Sequence, residues 1–88
     1  MTSPPWLAKL QTLPTGYSVG VFRGRSYGLT RTLFAGGRSE KFYAEELGGA
    51  DFVSLNVYHT GAGVRLKPCE MPVAKVTTFL GEVSLIDR

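Results

Sequence analysis

The stretch Lys67 to Pro72 holds the residue types that could do covalent chemistry, because it contains the chain's single cysteine, Cys69. Pro72 fits the first position of a helix, so Cys69 would lie just before a helix N-terminus, where the helix dipole favours a thiolate. Lys67 could support the same negative charge. One hypothesis is therefore a redox or nucleophilic thiol at Cys69, and the alternative is a small, half-buried hydrophobe beneath the helix.

Other catalytic and metal-binding patterns are missing from the sequence. It has no Walker loop, no dinucleotide-binding glycine pattern and no cysteine pair at zinc or thiol-redox spacing. The only histidine, His59, falls at a predicted strand end, which is typical of a solvated or capping residue. His59, Cys69 and Met71 are ligand types for a soft metal, but they follow no ligand-spacing motif. We therefore predict no metal and no cofactor, and we favour a protein that is not an enzyme.

A second group of candidate residues follows from strand alternation. In the predicted sheet, the side chains that face away from the core include two tyrosines, small polar residues and a lysine. With nearby arginines, such a face could stack and hold single-stranded nucleic acid. The alternatives are a surface for a protein partner or a homodimer, or an ordinary solvated face. The candidate binding residues are Thr30, Lys41, Tyr43, Asn56, Tyr58, Arg23, Arg25 and Arg31.

Alternating aromatic and β-branched residues between turn clusters predict the sheet that carries this face. We expect a four-stranded antiparallel meander with strands at about 17–22, 26–34, 39–47 and 52–59. The three turns place apolar residues on one common face, and a one-residue slip at any of them would invert a strand. The predicted apolar face consists of Tyr17, Val19, Val21, Tyr27, Leu29, Leu33, Phe42, Ala44, Val53, Leu55 and Val57.

The predicted strand registers follow from where each turn closes. A turn over Arg23-Gly24-Arg25 sets Val21 opposite Tyr27. A turn at Gly36-Gly37 sets Leu29 opposite Ala44, and a turn at Gly49-Ala50 sets Ala44 opposite Leu55.

Two helices complete the predicted fold. The first covers about 4–12, with Ser3 as its N-cap, and the second covers about 72–81, with Gly81 as its C-cap. Residues 64–67 are expected to be a short extended piece along the sheet edge, and residues 83–86 either extend the second helix or form an extended tail. The sequence thus predicts one α+β domain over 1–88, with both helices packed on the apolar sheet face.

Composition is that of an ordinary globular domain, with 43% hydrophobic and 19% charged residues. No apolar run approaches the ~20 residues of a membrane span, and the start lacks a secretory pattern, so we expect no membrane partner. A single cysteine suits a reducing compartment, and we expect a cytoplasmic location. Residues 1–39 hold five bases and no acid, whereas residues 40–88 hold five bases and seven acids. The basic half could attract an anionic partner, or the two halves are neighbours in one sheet and partly neutralise each other across strands.

Several motifs carry a family resemblance: Ala35-Gly-Gly-Arg-Ser39, Tyr43-Ala-Glu-Glu-Leu-Gly-Gly49, the strand Asp51 to Tyr58, and Lys67-Pro-Cys-Glu-Met-Pro72. Over about 16–80 the chain resembles a family of small, single-domain, uncharacterised bacterial proteins. Some of its members carry the label peptide methionine sulfoxide reductase, which would imply that Cys69 is the attacking thiol. The chain departs from known reductases, because it lacks a Gly-Cys-Phe-Trp type motif and a second, resolving cysteine.

The sequence therefore favours a small binding or interaction module whose partner it does not name. Single-stranded nucleic-acid binding on the open sheet face is one alternative. A thiol-dependent redox enzyme that uses Cys69 is the other.

Overall fold

Strand-forming residues separated by glycine turns build one antiparallel sheet, which a computed structural model describes over residues 4–86. Ser3 and its predicted cap lie outside the described residues. Two helices and six strands follow one another along this part of the chain, and a short 3₁₀ turn at Ala35–Gly37 joins the second strand to the third. The elements are α1 (Pro5–Thr12), β1 (Gly16–Phe22), β2 (Arg25–Phe34), β3 (Ser39–Glu46), β4 (Phe52–Thr60), β5 (Gly63–Pro68), α2 (Val73–Glu82) and β6 (Ser84–Leu85).

The α+β class is confirmed, but the sheet has six strands where the sequence predicted four, in the order β5-β4-β3-β2-β1-β6. Strand β5 is the extended piece expected along the edge, and it pairs with β4. Strand β6 follows α2, which carries the chain across the sheet to the opposite edge. There Ser84 pairs with Val21, and the Ile86 N–H donates to the Val19 carbonyl at 2.9 Å. The tail after α2 is thus extended.

The register between β2 and β3 agrees with the prediction, since Leu29 lies opposite Ala44. The register between β3 and β4 differs by two residues, because Ala44 lies opposite Val53 and not opposite Leu55. The cause is a longer loop over 47–51, which is closed by a 2.8 Å hydrogen bond from the Glu46 N–H to the Asp51 carbonyl. An even shift changes the cross-strand partners and keeps the same side chains on each face.

The register between β1 and β2 differs by one residue, which inverts β1. The turn holds only Arg23 and Gly24, with φ of 51° and 79°, as in the two-residue turns that match strand twist. Gly20 and Phe22 therefore face the helices, while Tyr17, Val19 and Val21 leave the predicted apolar face. Gly20 fits that position because a Cβ there would come within 3.0 Å of the Ser84 carbonyl oxygen.

Both helices pack on one side of the sheet and form the core with it. The first helix contributes leucines and α2 contributes an apolar stripe that continues into Val83. Leu33 belongs to the predicted apolar face but is 46% exposed. Gly81 lies inside α2, which ends at the Val83 cap, so the predicted C-cap at Gly81 is wrong. The buried apolar residues are Leu7, Leu10, Leu13, Tyr27, Leu29, Phe42, Ala44, Val53, Leu55, Val57, Val76, Phe79, Leu80 and Val83.

Neither α1 nor α2 is long and apolar enough to cross a membrane, and they are the α-helices of the described part of the chain.

Candidate functional site: the open face of the sheet

The side of the sheet opposite the helices, here called the open face, carries alternate residues of β1 to β5. Strand alternation places on it the odd-numbered residues of β1, β3 and β5 and the even-numbered residues of β2 and β4. Five of the predicted binding residues lie there together: Thr30, Lys41, Tyr43, Asn56 and Tyr58.

Cross-strand pairing arranges these side chains in rows. Thr32, Lys41, Asn56 and Lys67 are successive partners across β2 to β5, and we call them the basic row. Neighbouring rows on one face are ~7 Å apart along the strands, and neighbouring strands are ~4.8 Å apart. The row on one side is Tyr17, Thr30, Tyr43 and Ser54. The row on the other side is Phe34, Ser39, Tyr58 and Arg65.

Among the strand residues whose side chains lie on the open face, three are bases and one is an acid. The bases are Lys41, Arg65 and Lys67, and the acid is Glu45. The ion pairs found within residues 4–86 use other cations and leave Lys41, Arg65 and Lys67 out. The open face therefore has a positive balance, with one base on β3 and two on the edge strand β5.

Aromatic rings lie on both sides of the basic row. Tyr43 packs beside Phe52 with ring centroids 6.4 Å apart, and Tyr58 is 39% exposed. Tyr17 lies across Gly28, where a Cβ would come within 2.6 Å of the tyrosine oxygen. Glycine at position 28 thus gives the Tyr17 side chain room to lie against the sheet.

The three arginines of the predicted binding set lie off the open face. Arg23 forms two hydrogen bonds to Glu82, with N–O distances of 3.0 and 3.1 Å. Arg25 and Arg31 are odd-numbered residues of β2 and therefore point toward the helix side, where Arg25 lies 3.6 Å from Glu46.

Arg65 and Lys67 are the face residues that sequence reasoning missed. Their signal was present, because the alternation of residues 64–67 predicts which side chains share a face with Lys41 once β5 is paired with β4.

Cys69 lies at the margin of the open face, beside Asn56. Its backbone N–H donates to the Ser54 carbonyl at 2.9 Å, and the Asn56 Nδ2 donates to its Sγ at 3.4 Å. Three residues separate it from α2, and one of them, Glu70, has φ of 61°. A helix dipole acts mainly within the first turn, so the predicted support of the thiolate by α2 is weakened. The thiol-enzyme alternative stays a prediction.

His59 has a side chain that is 28% exposed, as its position at a strand end predicts, and its ring also contacts Glu40. Its Nε2 lies 2.8 Å from Glu40 Oε2, and Arg31 Nε lies 2.8 Å from Glu40 Oε1. Arg31 also donates to the carbonyl of Leu13 at the end of α1, with an N–O distance of 2.7 Å. This cluster lies on the helix side, whereas Cys69 lies at the open face, so His59, Cys69 and Met71 do not form a common ligand set.

Glu40 is only 3% exposed, yet its pKa lies below the usual value. Burial acts to raise the pKa of this carboxyl, and the hydrogen bonds from His59 and Arg31 outweigh it. The cluster therefore holds a charged carboxylate between two bases and ties the end of α1 to β2 and β3. Its geometry favours a structural role.

No family model, curated protein or solved structure matches the chain. The family resemblance therefore stays a prediction, and function is argued from the residues of this chain.

Proposed function

We propose that the chain is a small binding module that holds single-stranded nucleic acid on the open face. The observation that carries this proposal is the basic row with aromatic rings on both sides. Lysine and arginine neutralise backbone phosphates, and exposed rings stack on bases whatever the sequence. A flat sheet face that offers both is the arrangement on which sheet-based single-strand binders depend.

Each part of the open face has a distinct task in this proposal. Lys41, Lys67 and Arg65 contact phosphates, while Tyr43 and Tyr58 stack on unpaired bases. Asn56 lies between the two lysines in the basic row, and its amide can hydrogen-bond a base edge. A double helix would not present its bases to these rings, so the proposal is specific for single strands.

The test is fluorescence anisotropy with a labelled, mixed-sequence 12-nucleotide strand, as DNA and as RNA. We expect saturable binding whose Kd rises steeply with salt, because phosphate contacts release counterions. Lys67→Glu should raise the Kd on the order of tenfold at low salt, since it replaces an attraction by a repulsion. Lys9→Glu makes the same charge change on α1, on the helix side, and should raise the Kd much less.

A Kd that does not change with salt would contradict the proposal. An equal rise of the Kd in Lys67→Glu and Lys9→Glu would also contradict it. Tyr43→Leu and Tyr58→Leu keep apolar bulk on the face and remove the ring. They should weaken binding while preserving most of the salt slope, because stacking and phosphate contact are separate contributions.

A second candidate is a protein partner, in the simplest case a second copy of the chain. The observation in its favour is the exposure of apolar side chains on this face outside the basic row, since Phe34 is 50% and Tyr17 63% exposed. Sedimentation equilibrium over a dilution series tests the homodimer. Three results together would favour this candidate over the first. The apparent mass of the wild type halves on dilution, the Phe34→Ser variant has the monomer mass at every concentration, and no binding of the labelled strand is detected.

A further inference from the structure

A cleft of about 360 Å³ opens on the helix side of the sheet, between α2 and the turn that joins β1 to β2. Its volume falls in the range of small-molecule sites, which is roughly 300–1,000 Å³. The cleft does not share a face with the basic row, because Phe22 and Val53 point to the helix side. It is therefore a separate feature from the open face.

Aromatic side chains form the floor of the cleft. Phe22 is partly exposed and packs on the buried Phe79, with ring centroids 4.8 Å apart. Phe79 packs in turn on Tyr27, a core residue outside the cleft lining, at 5.0 Å in an edge-to-face arrangement. The wall from α2 is made by Ala74 and Thr78. These two side chains are small, so the helix leaves space above the rings where larger residues would fill it. The floor is suited to a flat apolar group.

The rim of the cleft carries a cation that can exchange its partner. Arg23 holds Glu82 through a two-pronged contact with N–O distances of 3.0 and 3.1 Å, and both side chains are about half exposed or more. An exposed ion pair of this kind contributes little stability, so the guanidinium can take a ligand carboxylate in place of Glu82 at small cost. The guanidinium carbon also lies 5.1 Å from the centre of the Phe22 ring.

The other charged residues of the cleft, Asp51 and Lys75, form a second and less exposed ion pair. Asp51 accepts hydrogen bonds from Tyr27 at 2.7 Å and from Lys75 at 2.8 Å, so both of its oxygens have partners. Lys75 in turn is 5.8 Å from the centre of the Phe52 ring. With Asp51 engaged in this way, the cleft offers Arg23 as the recognition group, and an anion matches it better than a cation does.

We infer that this cleft is a second binding site, for a small ligand that joins an aromatic group to a carboxylate. The ring lies on Phe22, which the buried Phe79 supports, and the carboxylate replaces that of Glu82 on Arg23. The inference concerns the helix side only, and it stands or falls independently of strand binding on the open face.

The probe is phenylacetate, titrated into the ¹⁵N-labelled full chain and followed by two-dimensional NMR. Saturable shifts should gather on the amides of Phe22, Val53, Ala74 and Phe79. The neutral analogue 2-phenylethanol should bind on the order of tenfold more weakly, because it lacks the charge that Arg23 recognises. Arg23→Gln should weaken the binding of phenylacetate to a similar degree. Arg38→Gln changes an exposed arginine of the β2–β3 turn and should leave the binding unchanged.

Ala74→Leu supplies a test that does not depend on charge. Leucine is a good helix former and would occupy the cleft, so the variant should fold and lose the phenylacetate shifts. Val73→Leu adds bulk at the neighbouring exposed position outside the cleft and should keep them. Shifts that survive Ala74→Leu, shifts confined to the open face, or an absence of shifts up to the solubility of the probe would each overturn the inference.

Discussion

Glu40 is the buried acid of the described chain, and its two oxygens are each held by a base. Glu40→Gln would leave the Arg31 guanidinium, which is 12% exposed, without an ionic partner. Loss of one member of a buried ion pair costs about 3 kcal/mol, so we expect a fall of this order in the free energy of unfolding at pH 7. Urea denaturation measures it. Glu45→Gln, on the open face, is the control and should change stability by less than about 0.5 kcal/mol.

The same carboxylate gives the stability a defined pH dependence. The pKa of Glu40 is lowered in the fold, so its contribution is complete above the pKa of the unfolded chain, about 4.3, and is lost as the pH falls through the lower folded value. The stability difference between wild type and Glu40→Gln should therefore be largest near pH 7 and shrink below about pH 4. A difference that stays constant down to pH 3 would show that the charge of Glu40 is not what stabilises the fold.

The contribution of Tyr27 to stability should have the opposite pH dependence, because it is lost at alkaline pH. Burial, followed by the hydrogen bond to Asp51, raises the pKa of its phenol to about 12, compared with about 10 in an unfolded chain. The protonated phenol is favoured by the fold, so this contribution is present below pH 10 and is lost as the pH rises toward 12. Tyr27→Phe keeps the packed ring and should cost about 1 kcal/mol at pH 8.

The alkaline decline of stability should be shallower in Tyr27→Phe than in wild type, as measured by urea denaturation between pH 8 and pH 11. Tyr58→Phe is the matched control, because it removes a hydroxyl from an exposed tyrosine and leaves the Tyr27 phenol in place. Parallel declines in wild type and Tyr27→Phe would contradict the assignment.

At the scale of elements, the β1–β2 turn decides which face of β1 meets the helices. Gly24 has φ of 79° and open space around it, so Gly24→Ala tests backbone conformation without a clash. We expect a loss of about 1 kcal/mol in the free energy of unfolding, because alanine is disfavoured at positive φ. Gly61→Ala, at a turn glycine with equally open space and no positive φ, should be nearly neutral. Equal effects would mean that the turn conformation does not determine stability here.

This turn also explains how much of the fold could be predicted from sequence. Residue alternation predicts the strands and the β2–β3 register, because Gly36-Gly37 fixes that turn and both faces are distinct. It does not distinguish a two-residue turn from a three-residue turn at Arg23, since Val19, Val21 and Phe22 give β1 apolar residues on both sides. The packing of Val83 and Ser84 against Gly20 resolves it, and those contacts are distant in sequence.

The sequence also predicted part of the candidate site, namely the five residues that lie together on the open face. Thr30, Lys41, Tyr43, Asn56 and Tyr58 share the open face because β2, β3 and β4 keep their faces under an even shift. Alternation could also have placed Arg25 and Arg31, because odd-numbered residues of β2 share the face of Leu29, and Arg31 meets Glu40 there. The contact of His59 with Glu40 was not predicted, because Glu40 lies on the neighbouring strand β3.

At the scale of the molecule, the sheet separates two surfaces with different chemistry. The open face presents positive charge on β3 and β5 and exposed rings, and we propose that it holds a single strand. On the helix side, α1 and α2 cover the core, and the cleft beside Arg23 is the proposed small-ligand site. The two proposed sites therefore share no side chain.

The topology of the sheet also predicts an order of local stability. Strand β3 lies between β2 and β4, so every amide in it has a strand neighbour. Strand β6 has two residues and pairs only with β1, from which it is separated by most of the chain, and closing that loop costs entropy. Local opening should therefore release β6 well before the central strands unfold.

Amide hydrogen exchange followed by NMR measures this order. The Ile86 amide, which donates to Val19, should exchange on the order of a hundredfold faster than the amides of Phe42 and Ala44. Low urea should leave Ile86 exchange nearly unchanged and speed exchange in β3, because only global unfolding exposes a large surface. Equal protection with equal urea dependence would mean that β6 unfolds with the central sheet, and that the C-terminal segment is part of the cooperative core.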